Sequence, residues 1–428
     1  MTQAPLNIWP AWSKNINIYE VNIRQYTPEG TFNAFSVHLK RLRDMDVDVL
    51  WFMPIFPISK TKRKGSLGSY YSVSGYRDIN PEFGSKKDFK KLVKSAHDLG
   101  LRVIIDWVPN HTGWDHEWIH KRPEFYTLNR DGHITEPLDN QGQLLGWEDV
   151  AELNYDNTSM RETMIAEMLY CMAEYNLDGF RQDMAMLVPM DFWEEANRRL
   201  RAVKQDILLI AESEDHQHTT TGLFNIIYCW SMHHILNQIA QGKQDVTAID
   251  KWYQDEYPKL TQGAYLFFTS NHDENSWSGS EIERMGEAHQ AFAVLTATLN
   301  GVPLIYSGQE EPMPQRLKFF DKDDIGFNHY AYADFYSKLL QLKHRNPALW
   351  NAFYGGVLMR ISPHNHIFAF QRKSDNNTVT VIINLSHQLQ IFNADRDIAG
   401  EEVFTQRMYN IHTGDNIRMQ PWTYLIIQ

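Results

Sequence analysis

The chain has 428 residues, 43% of them hydrophobic and 22% charged, the balance of a soluble globular protein with room for more than one domain. A formal charge of −12 excludes the broad basic face that a phosphate backbone needs, so nucleic acid is not an expected partner. Cys171 and Cys229 are the only cysteines, far apart and in apolar surroundings, which excludes a disulfide framework and reads as two buried thiols.

The opening MTQAPLNIWPAWSKN has neither a basic n-region nor an apolar h-region, and no window approaches the roughly 20 apolar residues of a membrane span. No membrane association and a cytoplasmic location are therefore expected, unless a leader has been removed. Residues 17–21 (NIYEV) form a first strand, followed by a helix over 31–46 with Phe32, Phe35, Leu39 and Leu42 at helical spacing. A second strand, 47–52 (VDVLWF), is stopped by Pro54 and Pro57. The basic run 60–64 (KTKRK) lies between that turn and a Gly/Ser loop and reads as solvated. A helix over 86–99, stopped by Gly100, leads to the apolar strand 101–107 (LRVIIDW), with Asp106 near its end.

Residues 110–157 are a long irregular stretch, and loops of that length inside a domain are usually functional. A helix over 158–175, capped by Thr158 or Ser159, precedes the run 176–185 (NLDGFRQDMA), in which Phe180 to Asp183 is extended. Alternation places Arg181 and Asp183 on one side of that strand. A guanidinium beside a carboxylate favours the ionised form, so Arg181 is expected to hold Asp183 charged, as a nucleophile requires. A helix over 191–204 and the strand 207–211 (ILLIA) then run straight into Glu212. A strand over 224–230, a helix over 245–257 and the strand 264–269 (AYLFFT) follow, the last ending at His272 and Asp273. A helix over 288–299, the strand 302–306 (VPLIY) and a helix over 333–343 complete eight strand-then-helix units, the count of a closed (β/α)8 barrel. From about residue 350 the texture changes to short alternating runs, with Asp375, Asn376 and Asn377 as a hairpin turn, which reads as an antiparallel β domain.

Chemistry in such a barrel sits at the C-terminal strand ends. Those positions hold Asp106 with Asn110 and His111, Arg181 with Asp183, Glu212, and His272 with Asp273. Retaining glycoside hydrolysis needs two carboxyls about 5 Å apart, one to attack and one to donate a proton. Asp183 suits the first role and Glu212 the second. None of these strand-end groups stands at HxxxH or HxH spacing, so they do not read as a metal site.

The segments DWVPNH (106–111), GFRQDMA (179–185), IAES (210–213) and FTSNHD (268–273) resemble, in order, the four signature segments of the α-amylase family, glycoside hydrolase family 13. The segments 71–84 and 18–32 are also similar to that family, so the likeness covers about residues 15–345. The resemblance implies an α/β fold: a (β/α)8 TIM barrel formed by 1–109 and 158–348, a short domain B at 110–157 inserted after strand 3, and a C-terminal antiparallel β domain at 349–428. It implies Asp183 as nucleophile, Glu212 as acid/base and Asp273 as a third carboxylate gripping sugar hydroxyls. Tyr71, Asp106, His111, Arg181 and His272 are implied around the substrate, with Tyr71 stacking on the sugar and Arg181 holding Asp183 ionised. No cofactor is required for the chemistry; the family often binds a structural calcium near Asn110, although the insert carries no clear acidic calcium loop. Gly75 stands where many members have Asp, and EDVAELNYD (148–156) replaces the commoner proline–aspartate pattern.

The implied substrate is an α-glucan, starch or glycogen type, or a maltooligosaccharide, cleaved at α-1,4 bonds through a covalent glycosyl-enzyme. Trp114, Trp118, Trp147 and Trp277 are candidates to stack on further sugar rings. The rivals with the same signatures are an α-glucosidase, a 4-α-glucanotransferase and a trehalose-forming isomerase. From another class, the rival is a catalytically silent sugar-binding relative, which the intact acids Asp183, Glu212 and Asp273 disfavour.

Overall fold

The structure, a computed structural model, describes residues 9–428; the first eight residues of the expected barrel segment, and the start of the opening read for a leader, lie outside the described residues. Ten strands precede residue 310: β1 (Ile18–Val21), β2 (Val49–Phe52), β3 (Arg102–Trp107), β4 (His111–Gly113), β5 (Val150–Glu152), β6 (Gly179–Gln182), β7 (Leu208–Ala211), β8 (Ile226–Tyr228), β9 (Ala264–Phe267) and β10 (Val302–Tyr306). Eight of these close a barrel in the order β1, β10, β9, β8, β7, β6, β3, β2, every neighbour parallel. The remaining two, β4 and β5, pair antiparallel within the insert after β3.

Each barrel strand is short and buried on both faces, which is why its sequence reads as an apolar run. Side chains at one parity, such as Ile18, Val49, Trp51, Ile104, Leu208, Ile210 and Leu304, fill the barrel interior. Those at the other, such as Leu50, Phe52, Val103, Phe180, Leu209 and Ile305, pack outward under the helices. Gly179 is required where β6 meets β7, because a Cβ there would lie 1.9 Å from the carbonyl oxygen of Leu208.

Several expected elements shift. The helix over 31–46 is two short helices, Phe32–Ser36 and Leu39–Asp44, parted where Ser36 Oγ turns back to Phe32 O at 2.7 Å and the His38 amide tightens onto Phe35 O. The cap of helix Thr158–Tyr175 is Asn157, whose side chain accepts the Met160 amide, rather than Thr158 or Ser159. The strand expected over 224–230 is only β8, because Trp230–Ala240 folds as a helix missed in the sequence, ahead of helix Thr247–Asp255. After β7 the chain makes a single turn of helix, Gln217–Thr220, so that unit lacks a full helix.

Beyond helix Ala333–Arg345 come β11 (Val357–Arg360), β12 (Ile367–Ser374), β13 (Asn377–Asn384), β14 (Gln390–Asn393), β15 (Ile398–Glu401), β16 (Met408–Ile411), β17 (Asn416–Met419) and β18 (Tyr424–Ile427). They form an antiparallel sheet β11-β12-β13-β18 and the ribbons β14-β17 and β15-β16. The tight β12–β13 hairpin turns at Asp375 and Asn376, with Asp375 at φ 51°. Arg372 on β12 ties this domain to the barrel: wholly buried, it donates to the carbonyls of Thr298, Leu299, Leu349, Trp350 and Gly356. Burial without a counter-charge pulls its guanidinium down to about 10. Cys171 and Cys229 are buried free thiols.

Candidate active site

The carboxyl ends of the barrel strands, the insert and the loops after β2 and β10 enclose a cavity of about 480 Å³. Asp183, Met184, Glu212, His272, Asp273, Tyr71 and His111 line it, with Trp147, Asp149, Lys64, Trp277, Phe319 and Phe320 above them. Asp183 and Glu212 follow β6 and β7 directly, and the ladder continues to fix them: the Asp183 amide donates to Trp107 O at 2.9 Å and the Glu212 amide to Gln182 O at 3.0 Å.

Arg181 is the centre of the floor. It is fully buried and contacts three carboxylates: Asp106 Oδ1 at 2.8 Å, Asp183 Oδ1 at 3.0 Å and Glu212 Oε1 at 2.8 Å. Its Nε donates to the Tyr228 hydroxyl at 3.1 Å, and its plane lies 5.2 Å from the Trp51 ring centre. The second oxygen of Glu212 accepts the Met184 amide at 2.7 Å. Met184 reaches that position at φ 46°, a left-handed conformation that strains a residue with a Cβ and, as here, tends to occur at functional turns. Among the described residues nothing donates to Asp183 Oδ2, a buried oxygen.

Arg181 does not simply hold Asp183 ionised, as expected from the strand pattern. Burial first, and then the charge of Glu212, push the Asp183 carboxyl well above the usual carboxylate range, because one guanidinium is shared among three acids. The retained proton belongs to the coupled group of carboxyls rather than to one of them. Asp106 and Arg181 also stand below the cavity wall and not on it: both are completely buried, and Asp106 Oδ2 accepts the Tyr71 hydroxyl at 2.9 Å. They position the groups that face the cavity.

His272 forms a second polar centre. Its Nδ1 lies 2.5 Å from Glu20 Oε1, and its Nε2 lies 2.7 Å from the Tyr71 hydroxyl and 3.3 Å from Asp273 Oδ2. Burial disfavours the imidazolium, but Asp273 and Glu20 outweigh it and raise the pKa to about 9. His111, by contrast, has no acid acting on it among the described residues, and burial lowers it to about 3, so it is neutral. Tyr71 stacks on His272 at 5.4 Å between ring centres and shows its edge of the cavity to a ligand.

Glu20, Lys64, Met184, Phe319 and Phe320 were missed in the sequence. Glu20 had a signal, a lone acid inside the apolar strand NIYEV; the Phe319–Phe320 pair had a weaker one, adjacent aromatics in a loop. Of the tryptophans, Trp147 and Trp277 line the cavity, whereas Trp118 is buried against His116 and Trp114 lies beneath Lys62. Calcium takes six to eight oxygens. Asn110 is buried, its carbonyl accepts the Leu153 amide, and its side-chain nitrogen faces His111 Nδ1. Among the described residues no three His, Cys, Asp or Glu side chains gather as a metal group, and no step below uses a metal ion.

The alpha-amylase catalytic-domain model matches residues 8–137 and 143–357. An alpha-amylase of Haloarcula japonica is 26% identical over 404 residues, covering 89% of this chain but only 56% of that protein, so the chain spans a little over half of that relative. Alpha-amylase 3 of Dictyoglomus thermophilum is 26% identical, with 97% of this chain and 94% of the relative covered. The crystal structure of an alpha-amylase from Lactobacillus plantarum superposes with a TM-score of 0.84 at 27% identity, over 96% of this chain and 98% of that one. With an eight-stranded parallel barrel and the acids Asp183, Glu212 and Asp273 opening on one cavity, the chain is a glycoside hydrolase and belongs to the alpha-amylase family.

Proposed function

We propose that this enzyme hydrolyses α-1,4-glucosidic bonds of starch-type glucans or maltooligosaccharides with retention of configuration. The observation that carries the reading is the pair Asp183 and Glu212 at adjacent strand ends, facing one cavity over a shared arginine, with one Asp183 oxygen free of hydrogen bonds. In the first step Asp183 Oδ2 attacks the anomeric carbon, the glycosidic C–O bond breaks, and the proton retained by the carboxyl pair passes through Glu212 to the leaving oxygen. In the second, Glu212 takes a proton from water, whose oxygen displaces Asp183 from the sugar. Each displacement inverts the anomeric carbon, so two restore it. An acid-rich floor that keeps one proton supplies what this sequence demands: one protonated and one ionised carboxyl at the same pH.

The other wall groups bind the sugar. Charged His272 and its neighbour Asp273 are placed to grip hydroxyls, neutral His111 to donate or accept one, and Tyr71 to cover an apolar face of the ring. Relatives named maltogenic alpha-amylase, cyclomaltodextrinase and oligo-1,6-glucosidase match at 23–24% identity, which supports a carbohydrate substrate.

Soluble starch, maltoheptaose, maltose and trehalose incubated in parallel, with Glu212→Gln as control, test the reading by chromatography and by NMR of the first-formed anomer. The expected result is short maltooligosaccharides in the α form from starch and maltoheptaose, with maltose scarcely cut. Chains longer than maltoheptaose would make the enzyme a transferase, and glucose or trehalose from maltose a glucosidase or an isomerase. No change in any of the four would leave a silent sugar-binding protein.

A further inference from the structure

The basic run at 60–64 is solvated, as its sequence reads, but it is fastened on both sides. On its insert side, Asp115 accepts the amides of Lys60 and Thr61 and the Thr61 hydroxyl. The Lys62 ammonium lies 3.7 Å from the Trp114 ring centre, and Lys64 Nζ lies 3.0 Å from Asp149 Oδ1. On its other side, Phe320 O accepts the amides of Leu67 and Gly68 at 2.9 and 3.2 Å, and Asp321 Oδ1 accepts the Ser66 amide and hydroxyl at 2.7 and 2.6 Å. Gly65 stands at φ +64°, and a Cβ there would lie 2.5 Å from Phe320 Cβ, so glycine is what lets the two loops touch. Residues 60–68 are therefore a strap fastened to the insert and to the loop after β10. Lys64, Asp149 and Phe320, at its fastenings, all line the cavity.

The position of the strap relative to the acids follows from the barrel order. The strap covers the arc β10, β1, β2, β3, while Glu212 rises from β7 on the far side of the mouth. A proton donor stands beside the leaving group of the bond it breaks. The strapped side is thus the side of the sugars that become attached to Asp183, and the Glu212 side receives the part that leaves.

We propose that the strap 60–68, locked by the Lys64–Asp149 ion pair, closes the non-reducing side of the cleft. Glucan chains then enter by their non-reducing end and lose fragments of one restricted length, since a chain bound through its interior would have to cross the strap. Lys64 and Asp149 are specificity-determining residues on this view, which rests on the hydrolytic reading above.

The test uses maltoheptaose carrying a chromogenic group at its reducing end, either free or capped at the non-reducing terminus by a bulky acetal. The wild-type enzyme should cut the free chain far faster than the capped one and release one dominant unlabelled fragment. Losing the ion pair in Lys64→Ala or Asp149→Asn should raise the capped-to-free rate ratio about fivefold and broaden the fragment sizes. The charge-reversed pair Lys64→Asp with Asp149→Lys should return both readouts towards wild type, which a general loss of stability would not do. Equal wild-type rates on capped and free chains overturn the closed end while hydrolysis stands. A preference unchanged in both single variants overturns the lock. If the wild type cuts neither chain, it is the hydrolytic reading that fails, and the inference with it.

Discussion

Strand β6 carries an aspartate at each end, and the two are treated in opposite ways. Asp178, just before the strand, is buried at the base of the barrel. Burial alone would raise its pKa, but a hydrogen bond from His97 at 2.7 Å, the Lys204 ammonium at 3.0 Å and the Val103 amide at 2.9 Å outweigh it and hold the carboxyl at about 2. Arg102 adds a further contact at 3.2 Å. Asp183, just after the strand, shares a single guanidinium with Asp106 and Glu212, leaves one oxygen without a hydrogen bond, and is raised. At the base donors outnumber the acid and the charge stabilises the fold; at the mouth acids outnumber the cation, and the fold keeps a proton and an unbonded carboxyl oxygen in the wall of the cavity. The division of a barrel into a stable face and a reactive face appears here within six residues of sequence.

The strongest way to break the comparison is Asp183→Asn, expected to lower kcat on the order of 10⁴-fold while leaving the thermal midpoint equal or higher. The sign follows from the raised pKa. Between the ordinary carboxylate value and the raised one, only the folded state holds the proton, so the contribution of Asp183 to stability is lost as pH rises through that window. The asparagine variant should flatten that fall in melts recorded from acid to neutral pH. Substantial remaining activity would mean that the nucleophile lies elsewhere.

Glu212→Gln should cost about 10²- to 10⁴-fold on glucans. Its first step should be much less impaired on substrates with acidic leaving groups, which need no proton; pre-steady-state rates with aryl glycosides check this, and equal losses with every leaving group would count against proton donation.

At the base, Asp178→Asn should leave kcat per folded molecule unchanged and lower stability by about 2 kcal/mol at neutral pH. Here the depressed pKa sets the sign: the stabilisation is complete above the ordinary carboxylate value and is lost as pH falls towards about 2. Denaturant titrations should therefore show wild type and variant converging in acid. A variant as stable as wild type at pH 7 would remove the contrast between the two ends.

The smallest effect concerns His272. Held protonated up to about 9, it should give kcat/KM an alkaline limb near that pH. Glu20→Gln removes one of its two anions and should move the limb towards neutrality by roughly one unit. A limb that stays in place would show that Asp273 alone maintains the charge.

Much of this site is legible in the sequence alone. Strand ends are readable because a buried parallel strand is a short apolar run, so the acid or histidine that follows it in IIDW, ILLIAES or FTSNHD marks the mouth of the barrel. The raised pKa of Asp183 was not legible, because the local Arg181–Asp183 spacing shows one cation for one acid and conceals Asp106 and Glu212, which arrive from neighbouring strands at 2.8 Å. Glu20 was passed over for the same reason: its partner His272 is 252 residues away. The missed helix Trp230–Ala240 has a different cause. An apolar run such as IIYCW fits a strand or the start of a helix, and only tertiary contacts such as those of Trp230 and His233 with Phe268 decide between them.

By itself, then, the sequence determined the barrel, the order of its strands and the identity of the carboxyls at their ends, because local apolar periodicity and strand-end position are properties of a few consecutive residues. The tertiary structure decided how those carboxyls share charge, which aromatics reach the cavity, and that the exposed basic run is fastened to the insert and to the loop after β10. Those are long-range matters of proximity: the pairs Lys64 with Asp149, Ser66 with Asp321 and Arg181 with Glu212 are set by the closure of the barrel, and no window of sequence contains both partners.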